Sequence, residues 1–172
     1  TNGEKVIWKN LRKFIDFLSQ QEENYILIEM KKRDKIEKRL KLQKFSTLEE
    51  ELLNKPITDR SVEKYINPGD EGWENRYYRE LFDLEINDDN KKKICLNYLE
   101  GLEWNLKYYY TGCSDWRWTY KYNYPPLLKD LLEYVPFFNC NILDESKRGP
   151  INEYTQLSYV LPRNSLYLLP QN

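Results

Sequence analysis

The stretch from Asn87 to Gly112, NDDNKKKICLNYLEGLEWNLKYYYTG, contains no proline and repeats its apolar residues at spacings of three and four. Cys95, Leu99, Leu102 and Leu106 fall on one helical stripe, flanked by Tyr98 and Trp104. Asn87, Asp88 or Asp89 can cap its start, and Gly112 can stop it. A helix of this length has to run through the core, so the rest of the chain is constrained to pack around it. Period-two alternation is nowhere sustained long enough for a strand, and the dipeptides that announce hairpins are missing. The expected fold class is therefore all-α, an irregular multi-helix domain with a long N-terminal helix and an aromatic-rich loop.

The flanking segments fit that class. From Glu4 to about Lys44, Val6, Leu11, Phe14, Ile15, Leu18, Tyr25, Ile26, Ile36 and Leu40 recur at helical spacing with no Gly or Pro, which predicts one long helix or two in series. Its second half, KKRDKIEKRLKLQK, is rich in Lys and Arg. Such a run can line a phosphate backbone, but it reads first as a solvated helix face with scattered opposite charges. STLEEELL predicts a short helix capped by Ser46 with Glu49 reaching back. NKPITDRSVEKYINPGDEG reads as a dispensable connector. Helical spacing returns in EGWENRYYRELF through Trp73, Tyr77 and Leu81. Pro125 and Pro126 are expected at the cap and first turn of LLKDLLEYV, because a helix start has no N–H partner to lose. PFFNCNILDESKRGP has no period, Asn152 can cap EYTQLSYVL, Pro162 ends that helix, and Ser165 can cap a last turn through Leu168. The organisation expected is a single helical domain over 1–172, with a helix or helix pair in 1–45, a short helix and connector in 46–71, and a core in 72–170.

Charge and residue content exclude several functions. The 172 residues carry a net charge of -1, so no global field recruits a polyanion and any nucleic-acid contact must be local. The chain has no histidine, which removes the commonest general base and the usual partner of a serine or cysteine nucleophile. Cys95, Cys113 and Cys140 form no CxxC pair, so they point to a reducing compartment rather than to a zinc site. No apolar run is long enough to span a bilayer, and TNGEKVIWKN lacks the layout of a signal peptide. A cytoplasmic location is expected, with the nucleus as the alternative. The acidic pairs Asp70–Glu71, Asp88–Asp89 and Asp144–Glu145 sit where caps or surface turns place them, so they read as structural.

GCSDWRWTYKYNYPP, residues 112–126, concentrates large rings in what must be a loop. Most of them are expected to pin the loop to the helical core, with each N–H or O–H finding a partner. Trp116 and Trp118 are two apart: in extended backbone they project to one side, in a turn they splay, and neither joins the helical stripe. One of them is then available as a flat platform for a nucleobase, an interaction worth about 1–3 kcal/mol per stacked base and indifferent to sequence.

The order of residues adds a resemblance. CLNYLEGLEWNLKYYYTGCSDWRWTYKYNYPPLLKDL resembles the hallmark segment of the Xrn-type 5′→3′ exoribonucleases: a helix ending in repeated tyrosines, a Gly-Cys, two tryptophans one residue apart, and a tyrosine-rich run to a proline. GWENRYYRELF upstream and PINEYTQLSYVLPRNSLYLLP downstream are similar to further blocks of that family, in the same order, covering about 72–170. The resemblance implies a helical domain that follows a catalytic domain, in enzymes that remove nucleotides one at a time from RNA with a 5′ monophosphate. It implies further that the metal-binding carboxylates and Mg2+ belong to that catalytic domain, with no catalytic residue and no bound cofactor in this chain.

By motif order, the tryptophan that stacks on the first base is Trp118, with Trp116 as the alternative, and Arg117 and Lys121 are possible contacts to the RNA backbone. Two departures stand beside this. The family commonly has Pro-Ser where this chain has Ser114-Asp115, and a histidine where it has Asn123. A carboxylate at 115 would repel a phosphate unless Arg117 or Lys121 neutralises it. The competing reading is a non-catalytic helical interaction module that has lost RNA handling. Exposure of the two indoles separates them, since two fully buried rings would leave no platform. A free-standing nuclease would instead need carboxylates converging on one site.

Overall fold

The computed structural model describes residues 3, 5–144 and 148–170. Among them are eight α-helices and no sheet: α1 Trp8–Ser19, α2 Glu22–Lys41, α3 Leu48–Thr58, α4 Ser61–Ile66, α5 Trp73–Phe82, α6 Asp88–Thr111, α7 Leu128–Tyr134 and α8 Glu153–Val160, followed by a 3-10 helix, Arg163–Leu168. The all-α class follows. The N-terminal period resolves into two helices broken at Gln20 and Gln21. Its proposed start at Glu4 lies outside the described residues, as do Glu145 and with it half of one acidic pair.

Helix α6 is the shared wall of two apolar clusters. Cys95 and Leu99 join Trp8 and Ile15 of α1 and Leu131 and Val135 around α7, while Ile94 joins Ile66, Trp73, Tyr78 and Leu127 on the other side. Neighbouring residues of a helix point about 100° apart, so Ile94 and Cys95 serve different clusters. The helix is therefore buried on several faces, and polar residues of it are enclosed too: Asn97, Glu103 and Lys107. Each has a partner. Glu103 accepts from the backbone N–H groups of Ile142 at 2.7 Å and Leu143 at 3.0 Å and pairs with Lys107 at 3.1 Å, tying the loop after α7 to α6. The Arg12 guanidinium donates to the carbonyls of Leu132 and Val135, satisfying the C-terminal end of α7.

Several expected boundaries shift for local reasons. Thr47, not Ser46, caps α3 by accepting from Glu50 N–H at 3.2 Å, while the Glu50 carboxylate accepts from Ser46 N–H at 2.9 Å. The reciprocal cap is present one residue later than the sequence suggested. Pro125 and Pro126 precede α7 rather than opening it. Its first N–H, on Leu128, is satisfied instead by the Glu22 carboxylate of α2 at 2.9 and 3.0 Å. The last 3-10 helix starts at Arg163 behind Pro162, which places Ser165 inside it rather than at its cap.

The stretch read as a dispensable connector is the largest correction. It contains the end of α3 and all of α4, and Arg60 within it is buried at 3% exposure. Its guanidinium pairs with Asp34 at 2.8 Å and Glu37 at 3.2 Å of α2 and also holds Glu63. Glu37 in turn is enclosed by Lys41 at 2.6 Å and Lys64 at 2.7 Å. Ion pairs thus join α2 to α4, in addition to the packing of Ile26 against the apolar cluster that holds Ile66. The lysine-rich face is thus only partly a solvated surface, since its two acids, Asp34 and Glu37, face the Arg60 guanidinium. Arg76 closes the turn after α4, donating to the carbonyls of Tyr65 and Ile66 at 3.0 Å each and of Glu71 at 2.9 Å.

Candidate nucleic-acid interface

Helix α6 stops at Gly112, whose φ of 92° lies in the region that favours glycine, and the chain then turns back along the helix as an aromatic bend. Trp104 and Tyr108 are four apart on α6, so their rings meet, stacked at 5.3 Å and 14°. Trp118 folds back from the bend onto Trp104 at 5.8 Å and 23°, extending the pair to three rings. Trp118 thus reaches α6 at Trp104, on the flank of the helical stripe and not on the stripe itself. The reason is Gly101: a Cβ there would stand 2.7 Å from the tip of the Trp118 ring, so only glycine lets the indole lie against α6. The Trp118 indole N–H points to the Glu100 carboxylate at 3.4 Å.

Trp116 is 59% exposed, whereas Trp118 is half-buried. Neither ring is sealed in. Arg117 and Lys121 flank them on the same bend with exposed side chains, and among the described residues neither forms an ion pair. Their main-chain N–H groups are used: Arg117 N–H donates to Asp115 at 2.9 Å and Lys121 N–H to Asn97 of α6 at 2.9 Å. The carboxylate expected to need Arg117 or Lys121 for neutralisation is handled differently. Asp115 is buried and paired with Arg148 at 2.6 Å, a residue the sequence offered only as part of an aperiodic loop. The Asp115 carbonyl also accepts from the Trp104 indole N–H at 2.9 Å.

The remaining rings of the loop hold the fold. Tyr120 meets Tyr98 and Tyr122 edge to face at 5.6 Å each, and Tyr122 meets Phe82 at 5.7 Å. The Tyr120 hydroxyl donates to the Tyr124 carbonyl at 2.6 Å, and the Tyr77 hydroxyl to the Pro125 carbonyl at 2.9 Å. The Tyr78 hydroxyl donates to Asp130 at 2.6 Å and accepts from Leu127 N–H at 3.1 Å. Burial pushes the Tyr77 phenol up to about 12 and the Cys95 thiol up to about 12, so neither ionises near neutrality. Among the described residues no three His, Cys, Asp or Glu side chains come together to hold a metal ion. Asp70 sits in an exposed turn with Asn67, and Asp88 and Asp89 open α6. These residues do not fit a two-metal site. No helix among the described residues is long and apolar enough to cross a membrane.

Fold and site together define a class: an all-α domain with an exposed indole on a bend, next to a second indole stacked on rings of its central helix. Comparison with known proteins gives the family. Residues 2–172 match the family model described as the Xrn1 helical domain, and the chain belongs to that family. It is 40% identical over 117 residues to a 5′-3′ exoribonuclease 2 homolog of Caenorhabditis briggsae, covering 66% of this chain and 12% of the relative. It is 40% identical over 116 residues to 5′-3′ exoribonuclease 2 of Candida glabrata, covering 66% and 11%. It is also 34% identical over 134 residues to 5′-3′ exoribonuclease 1 of Schizosaccharomyces pombe, covering 75% and 9%. The chain thus spans about a tenth of the length of these relatives.

Proposed function

We propose that this chain is the helical accessory domain of a 5′→3′ exoribonuclease acting on RNA with a 5′ monophosphate, and that its aromatic bend stacks on the terminal base. The observation that carries the reading is the 59% exposure of Trp116 beside a half-buried Trp118 braced by Trp104 and Tyr108. A large apolar ring left open next to two cations that form no ion pair among the described residues suits a base with its attached phosphates. Every base offers a π-face, so such a platform would let the strand advance without sequence preference. The metal-binding carboxylates and Mg2+ belong, in this reading, to a catalytic region beyond these residues. The helical domain's share is to hold the terminal nucleotide in register for the attack.

The three cysteines are free, which supports a reducing compartment; cytoplasmic RNA decay is the reading adopted, with nuclear decay as the alternative. One observation favours a second function, a protein interaction module: Tyr159 at 93% and Val160 at 74% exposure leave an apolar surface on α8.

Digestion of 5′-monophosphorylated RNA by the full-length protein tests the choice. Trp116→Ala or Trp118→Ala is expected to raise KM about fivefold or more, the lower end of one stacked base. Wild-type kinetics in both variants would leave only the interaction module.

A further inference from the structure

The bend that carries Trp116 has no helix of its own between Gly112 and Leu127, so its main chain is held by a few bonds to other segments. Residue 148 makes several of them. The Arg148 carbonyl accepts from Trp116 N–H at 3.1 Å. Its guanidinium grips the Asp115 carboxylate, with Nη2 at 2.6 Å and Nε at 3.1 Å from Oδ2 and Nε at 3.2 Å from Oδ1. Asp115 passes that grip on: Oδ1 accepts from Arg117 N–H at 2.9 Å, and its carbonyl accepts from the Trp104 indole N–H at 2.9 Å and from Trp118 N–H at 3.4 Å. The peptide units on both sides of Trp116 are therefore fixed by Arg148.

We infer that Arg148 is a positioning residue for the RNA 5′ end, setting through Asp115 the direction in which the Trp116 indole faces. This rests on reading the two-tryptophan bend as the base platform. Two features separate positioning from general support of the fold. Neither Asp115 nor Arg148 belongs to either apolar cluster, so the pair is separate from the packing of both cores. The Asp115 carboxylate is also almost fully enclosed while the Arg148 side chain is half exposed, so the pair sits at the rim of the molecule. A carboxylate that must be buried beside a phosphate-binding surface needs a cation aimed at it, and a forked guanidinium contacting both oxygens fixes its orientation as well as its charge.

The test uses the full-length protein with 5′-monophosphorylated RNA. Arg148→Ala is expected to raise KM about fivefold or more, the scale of one misplaced stack, with kcat little changed. Because that variant takes the Arg148 guanidinium away from a buried carboxylate, the double variant Asp115→Asn with Arg148→Ala removes the carboxylate charge as well while keeping an acceptor for Arg117 N–H. It is expected to fold and to keep the raised KM, and Arg148→Lys should recover part of the loss. In a Trp116→Ala background, Arg148→Ala should add nothing. A wild-type KM in the double variant would overturn the proposal in favour of simple charge neutralisation. Full additivity with Trp116→Ala would overturn it in favour of a direct contact between Arg148 and RNA. If Trp116→Ala alone keeps wild-type KM the proposal falls, and if Trp118→Ala keeps it too the platform reading falls as well. The 19F resonance of 5-fluorotryptophan at position 116, recorded without RNA, tells the two failures apart: Arg148→Ala still shifts it when only the RNA reading is wrong, and leaves it unmoved when the latch itself is wrong.

Discussion

Gly101 decides how the bend meets the helix. Substitution by alanine would gain about 1 kcal/mol of helix propensity but place a methyl 2.7 Å from the tip of Trp118, a ring stacked on Trp104. Overpacking of that kind costs about 1–3 kcal/mol, so Gly101→Ala is expected to destabilise by about 1 kcal/mol net. Urea unfolding with near-UV circular dichroism checks it: the midpoint should fall and the indole signal should change. An unchanged or raised midpoint would show that the ring slides away freely. The same stack separates the two tryptophans as mutational probes. Trp118→Ala removes a half-buried ring and is expected to cost about 2 kcal/mol, below the roughly 3–5 kcal/mol of a fully enclosed aromatic. Trp116→Ala touches an exposed ring and should stay within about 0.5 kcal/mol of wild type in a thermal melt. Of the pair, Trp116 reports on RNA without a confounding loss of fold.

At the scale of elements, the start of α7 depends on a residue far away in sequence. Both Glu22 oxygens accept from Leu128 N–H, and burial raises the pKa of that carboxyl against the pull of those backbone donors. Glu22→Ala should cost about 1 kcal/mol, the usual worth of an N-cap, and should speed amide exchange at Leu128 first. Unaltered exchange there would mean that water replaces the carboxylate. This cap also shows why some of the structure was legible and some was not. Asn87 and Asn152 cap α6 and α8 through their own side chains, a local interaction that leaves a local signal. The Glu22 cap of α7 and the Arg148 grip on Asp115 join residues distant in the chain, and no periodicity announces them. The aromatic bend was conspicuous because its rings cluster in sequence. Which ring lies down and which stands out was decided by the missing side chain at Gly101, one small residue inside an otherwise regular helix.

On the scale of the whole molecule, α6 divides two apolar flanks, one of which also carries a network of ion pairs. The α1 and α7 flank is apolar, built on Trp8, Ile15, Leu99 and Leu131, and apolar burial does not change with pH. On the opposite flank, α2 is joined to α4 by the ions around Arg60 and Glu37. Hydrogen bonds from Lys41 and Lys64 lower the Glu37 pKa to about 2, below its ordinary value of 4.5. A carboxyl depressed in the folded state binds its proton more readily when unfolded, so its contribution is fully present above pH 4.5. It is lost as the pH falls from there towards 2. Acidification should therefore release α2 and α4 before it loosens α1 and α7. Amide exchange measured at pH 6 and pH 3 is expected to show protection falling in Glu22–Lys41 and Ser61–Ile66 while Trp8–Ser19 holds. Glu37→Gln should lower the stability of that flank at pH 6 and flatten its dependence between pH 4.5 and 2. Equal loss on both flanks at pH 3 would mean that the two clusters unfold as one unit through α6, with the ion network too weakly coupled to act alone.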